Sequence, residues 1–148
     1  MAHTEFSSVL AQAIFNKLDL NKGTLGIREV YYGNQNKIPY SPSAVVLCGM
    51  KRRILAGVSA PGGRVENELT VYIDLHSAKI NEESIERLII DQLAETLEKK
   101  LHEDVTMGGI IIHGFVTDWN PGESFIGGSY FRSLRMTFTG KSKTYLSA

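Results

Sequence analysis

The chain has 148 residues, 43% of them hydrophobic and 22% charged, and its sixteen basic side chains balance sixteen acidic ones. That length suits a single domain over residues 1–148 with one core, and the composition excludes disordered, collagen-like and strongly basic nucleic-acid-binding classes. The lone cysteine, Cys48, excludes a disulfide framework within one chain; inside the apolar run AVVLCGM it reads as a small buried hydrophobe.

No basic segment leads into an uninterrupted apolar stretch near the N-terminus, and no run approaches the roughly 18 residues of a membrane span. The expectation is a protein made in the cytosol that does not engage a membrane. From Phe6, the apolar residues Val9, Leu10, Ala13, Ile14 and Leu18 predict an amphipathic helix that Asn21-Lys22-Gly23 stops. The next twenty or so residues carry Gly, Asn and two prolines and have no sustained period; a short strand is expected at 27–32. Tyr31, Tyr32 and Tyr40 in this region can anchor a partner or pad the domain's own core, and the sequence leaves both open.

SAVVLCGMKRRILAG at 43–57 predicts a strand, a bulge or bend near Gly49 and a second extended piece. In LTVYIDLH at 69–76, period two puts Leu69, Val71, Ile73 and Leu75 on one face and Thr70, Tyr72, Asp74 and His76 on the other. A second helix follows, with Asn81 as N-cap, Glu82 and Glu83 in its first turn, and Lys99, Lys100 and His102 in its last. Its expected buried stripe is Ile85, Leu88, Ile89, Leu93, Leu97 and Leu101, with Glu83–Arg87 and Glu95–Lys99 paired on exposed flanks. After a turn at Met107-Gly108-Gly109, IIIHGFVTDW reads as a strand, NPGESFIGGS as a turn or loop and YFRSLRMTFTG as the returning strand of a long hairpin. The predicted class is α+β, a mostly antiparallel sheet with two main helices in the order α-β-β-β-α-β-β.

Chemistry has few places to sit. Asp74-x-His76 can orient an imidazole or supply two metal ligands, because both side chains leave the same strand face. A third ligand at short spacing is missing: His3, His102 and His113 are scattered, and neither CxxC nor HExxH occurs. His102 at a helix end is explained by a cation facing the dipole, and His113 among isoleucines by a partly buried strand position. GESFIGGS outlines a phosphate-binding loop, but Gly128 stands where a lysine is needed and a strand follows, so the match reads as accidental. Lys51-Arg52-Arg53, with Arg64 close behind and Arg132, Arg135, Lys141 and Lys143 near the end, is the densest positive charge, read as solvated surface or as partner contact.

The order of elements resembles a known family. An amphipathic first helix, VYYG at 30–33, PSAVVL at 42–47, KRRIL, NELTVYIDLHS, a helix ending LEKKLHEDVTMGG and a last strand RSLRMTFTGKSKTYL together resemble the tail terminator, or tail completion, proteins of tailed bacteriophages. The resemblance implies a structural virion protein with no enzymatic activity, cofactor, metal or catalytic residue. Such proteins form a hexameric ring of identical subunits at the head-proximal end of the tail, stop tube polymerisation and present the surface that joins the head. The implied partners are copies of the chain, the tail tube protein, the head–tail connector and DNA passing through the lumen without sequence-specific binding. The implied location is the virion tail, after assembly in the host cytoplasm. Candidate interfaces are the 26–41 loop, the PGGR region and the GESFIGG loop, with Tyr31, Tyr32, Tyr40, Lys51, Arg52, Arg53, Arg64, Arg132 and Arg135 as candidate contact residues. A head-side neck component and a small hydrolase using Asp74 and His76 are the alternatives.

Overall fold

The computed structural model describes residues 3–57, 63–79 and 82–146. Helix α1 (Ser7–Leu20) buries Ser7, Leu10, Ala11, Ile14 and Leu18. Phe6 and Val9, expected on that stripe, are exposed: Phe6 is the extended N-cap residue, out of phase with the helix, and Ala11 turns inward in Val9's place. Asn21 donates its side-chain amide to Lys17 O at 2.7 Å, closing α1. One further turn, α2 (Lys22–Leu25), follows, and the stop comes at Gly26 with φ 79°, a left-handed conformation that glycine adopts without steric cost.

Strands β1 (Glu29–Tyr32), β2 (Ser43–Gly57), β3 (Gly63–Ala78), β4 (His113–Ile126) and β5 (Ser129–Leu146) form one sheet in the order β1-β2-β3-β5-β4. Only β1 is parallel to its neighbour; the other three pairings are antiparallel. The α+β class and mostly antiparallel sheet expected from the sequence are those observed. The bend expected near Gly49 is a register shift between Cys48 and Lys51.

Leu69, Val71, Ile73 and Leu75 are fully buried on the face that α1 and α3 (Glu83–Leu101) cover, together with Leu134, Met136 and Phe138 of β5. Each such side chain stabilises the fold by about 1.5–3 kcal/mol relative to exposure. The helix-distal face, called open below, carries Tyr72, Asp74, Thr137 and Arg135; among the described residues, 33–42 fold over one end of it, where Ile38 joins Val45 and Phe131 in a small second cluster.

Four expectations change. In α3 the buried residues are Glu86, Ile90, Leu93, Ala94, Leu97 and Leu101, whereas Ile85, Leu88 and Ile89 are exposed; the first turns roll so that Glu86 reaches the guanidinium of Arg132 beneath. The expected Asn81 cap lies outside the described residues, and Glu82 occupies the N-cap. The turn or loop expected over NPGESFIGGS is shorter: β4 continues to Ile126, and Gly127-Gly128, at φ 61° and 84°, make a two-residue turn into β5 of the sense that hairpin twist favours. Pro121 is tolerated within it because β4 is an edge strand. Cys48 is exposed rather than buried, because β1 ends opposite Val46 and no strand covers β2 beyond that point among the described residues. The i,i+4 pairs Arg87–Glu83 at 3.2 Å and Lys99–Glu95 at 3.1 Å form as their spacing predicts.

Candidate functional site

The register of three strands assembles a polar cleft on the open face. Asp74 and His76 of β3 stand opposite Arg135 and Ser133 of β5, and β4 brings Asn120 and Ser124 alongside. The cleft has a lobe of about 240 Å³ lined by these residues and a second of about 380 Å³ that shares Asp74, His76 and Ser124 and extends to Asn34, Gln35 and Leu47.

Asp74 and His76 are wired to different partners. Arg135 donates Nε to Asp74 Oδ1 at 2.7 Å and an Nη to Oδ2 at 3.0 Å, so both carboxylate oxygens meet one guanidinium in the bidentate geometry arginine favours. The same guanidinium lies 4.7 Å from the centre of the Tyr72 ring. His76 is 3% exposed, not a solvated strand residue as the alternation suggests, because Phe131 packs against its ring at 5.8 Å and residues 33–42 close over that end of the sheet. Its Nδ1 is 2.8 Å from Ser133 Oγ, and Ser133 Oγ donates onward to Ser124 Oγ at 2.8 Å. A hydroxyl has one hydrogen, so Ser133 accepts from His76 Nδ1–H and neutral His76 keeps its lone pair on Nε2.

Burial is the largest influence on His76 and pushes its pKa below the ordinary imidazole value; the Asp74 charge opposes this and the Arg135 charge adds to it. With the folded pKa depressed, unfolded chains take up the proton first as pH falls through the usual imidazole range. Stability from this group is therefore complete above that range and declines below it, levelling off beneath the folded pKa. The expected result is a urea midpoint that drops between about pH 7.5 and pH 5, with a shallower drop in His76→Gln; equal slopes in the two proteins would remove His76 as the cause.

The nine predicted contact residues fall into three groups. Arg132 is buried within the chain, its guanidinium 3.1 Å from Glu86 and 2.8 Å from Glu123, so it cannot present charge to a partner as expected. Tyr31 packs on the small second cluster, and burial raises its phenol pKa; Arg64 is partly buried, with its Nε enclosed. Lys51, Tyr32, Tyr40 and Arg135 reach the surface but also hold internal contacts. Lys51 lies 3.7 Å from Glu5, the Tyr32 hydroxyl 3.2 Å from Cys48 Sγ, and the Tyr40 ring centre 5.2 Å from Arg28. Arg52 and Arg53 are exposed and have no ion-pair partner among the described residues. Residues 61 and 62 of the PGGR region lie outside the described residues.

His102 does not act as a free cation at a helix end: its Nε2 accepts the Val116 N–H at 3.0 Å, which requires a lone pair. His113 is exposed on the edge strand rather than partly buried. Among the described residues, no three His, Cys, Asp or Glu side chains converge in a way that could hold a metal ion, and no helix is long and apolar enough to cross a membrane. Sequence reasoning missed Ser133, Ser124 and Glu86; the one available signal was the Gly127-Gly128 turn, which sets the register placing Ser124 beside Ser133. Comparison with protein-family models and with curated proteins finds no match for this chain.

Proposed function

We propose that the chain is a structural assembly subunit, and specifically that it closes the head-proximal end of a phage tail tube as a hexameric ring, stopping polymerisation and offering the head-joining surface. The observation that carries the assembly reading is apolar surface left exposed around a completed core. Ile85, Leu88 and Ile89 of α3, Met50, Ile54 and Leu55 of β2, and Phe115, Trp119 and Phe125 of β4 all lie at the surface, grouped on three elements, and grouped apolar surface is what partner contacts cover. The narrower assignment draws on the resemblance in element order, with which the α+β architecture agrees. Its partners are then the tube protein, the head–tail connector and DNA in the lumen.

A hydrolase built on Asp74 and His76 draws less support. Both Asp74 oxygens are engaged by Arg135 and His76 Nδ1 by Ser133, whereas a triad needs its carboxylate on the imidazole.

Deleting the gene in its source and imaging the particles tests the proposal. Overlong tails without heads are expected. Tails of normal length detached from filled heads would place the chain on the head side instead, and intact infectious particles would sink both versions.

A further inference from the structure

Among the described residues, the sheet has two uncovered edges of opposite charge. On one side, β1 stops opposite Val46, and Gly33 N–H donates to Val46 O. Among the described residues no strand lies outside residues 51–57 of β2, which carry Lys51, Arg52 and Arg53. On the other side, β4 is the terminal strand. It carries Asp118 on the open face, and on the helix face Trp119, which holds Glu98 through a 3.3 Å hydrogen bond from its indole N–H.

Each edge therefore presents charge of a single sign on both faces. Arg52 and Arg53, successive residues of a strand, point to opposite faces, as Asp118 and the Trp119–Glu98 pair do. Arg52 stands opposite Glu68 in register, yet no ion pair joins them among the described residues. Exposed apolar side chains flank the charges on both edges, Ile54 and Leu55 on β2 and Phe115 and Trp119 on β4.

We infer that the β4 edge of one copy docks on the 51–57 edge of β2 in the next copy, extending the sheet from subunit to subunit. The inference rests on the assembly reading above and names the surfaces that carry it. Charge selects this pairing over its rivals. Two β2 edges would set arginine against arginine, and two β4 edges acid against acid, and like charges directly across a strand pair are destabilising. Only the unlike edges place Asp118 and Glu98 against Arg52 and Arg53, while main-chain hydrogen bonds satisfy the open N–H and C=O groups of both. Pro121 lacks an N–H, which blunts the edge against indiscriminate pairing and confines docking to the part of β4 before it, where the register shift between Val116 and Asp118 bends the strand. The contact is heterologous, so repetition closes a ring or runs on as a filament.

Two charge-reversed proteins test it, Arg52→Glu/Arg53→Glu and Glu98→Lys/Asp118→Lys, each checked for folding by circular dichroism and for mass by sedimentation over a wide concentration range. Each alone is expected to self-associate at least about tenfold more weakly than wild type. Mixed in equal amounts they should regain wild-type assembly, because the reversed edges then face each other in alternation. Folded variants that assemble like wild type, or an equimolar mixture no better than either variant, would overturn the edge docking and leave the assembly reading standing. A wild-type chain that stays monomeric throughout would overturn both.

Discussion

Replacing Arg132 by leucine is expected to lower the free energy of unfolding by about 3–5 kcal/mol, the largest loss from any single polar substitution in this fold. Arg132 is 4% exposed and Glu86 1% exposed. The guanidinium donates Nε and an Nη to Glu86 at 3.3 and 3.1 Å and its other Nη to Glu123 at 2.8 Å, with Glu83 at 3.8 Å. Burial works against the charged arginine, and the hydrogen bond that it donates to Glu86 together with the three surrounding carboxylates outweighs it, so the pKa of Arg132 is raised. Taking the guanidinium away leaves the Glu86 carboxylate under the first turns of α3 without the charge that compensates its lost hydration. The double variant Glu86→Leu/Arg132→Leu should recover most of the loss, since buried pairs replaced by apolar side chains of similar volume are often neutral. Urea unfolding of the wild type, both single variants and the double variant measures the coupling. If the single and double variants lose equal stability, the pair is not the cause.

The second large effect is expected at Gly114. It pairs with Gly140 across β4 and β5, and a Cβ there would stand 2.6 and 2.7 Å from ring carbons of Phe138 and 3.0 Å from Ile111 Cδ1. Phe138 is fully buried, so its ring has no room to retreat and Gly114→Ala should cost about 1–3 kcal/mol. A Cβ at Gly140 would meet methyl carbons of Ile111 and Leu10 at 3.0 Å. That overlap is smaller than the one at Gly114 and falls on the ends of flexible side chains instead of a rigid ring, so Gly140→Ala should cost less. Adding Phe138→Leu should cost stability in the wild type but cost much less in Gly114→Ala, where the smaller side chain makes room for the new methyl group. Thermal melts rank the four variants against the wild type; Gly140→Ala as harmful as Gly114→Ala would mean that the Phe138 ring is not what Gly114 accommodates.

Much of the architecture was legible locally. Leu69, Val71, Ile73 and Leu75 alternate without a break and all are buried; Gly49 sits at the bulge; Met107, Gly108 and Gly109 turn with positive φ. These features depend on period, propensity and backbone freedom, which neighbouring residues carry among themselves. The extension of β4 through NPGESFI was harder to read, because Pro121 and Gly122 are turn residues in isolation and are accommodated here by an edge position that only the strand order defines.

The candidate cleft was half legible. Asp74 and His76 were visible as two polar side chains on one strand face, but Ser133 lies 57 residues from His76 and Arg135 61 from Asp74. No local pattern links them, and only the β3–β5 register does. The amino-acid order alone thus determined the α+β class, the main strands and helices and the inward face of β3, since periodicity states which side of an element is apolar. Tertiary packing decided which apolar residues of α1 and α3 stay outside, that Arg132 and His76 turn inward, and which strand edges are left open. Burial depends on what stands opposite a residue, and what stands opposite is set by pairings between segments far apart in the chain.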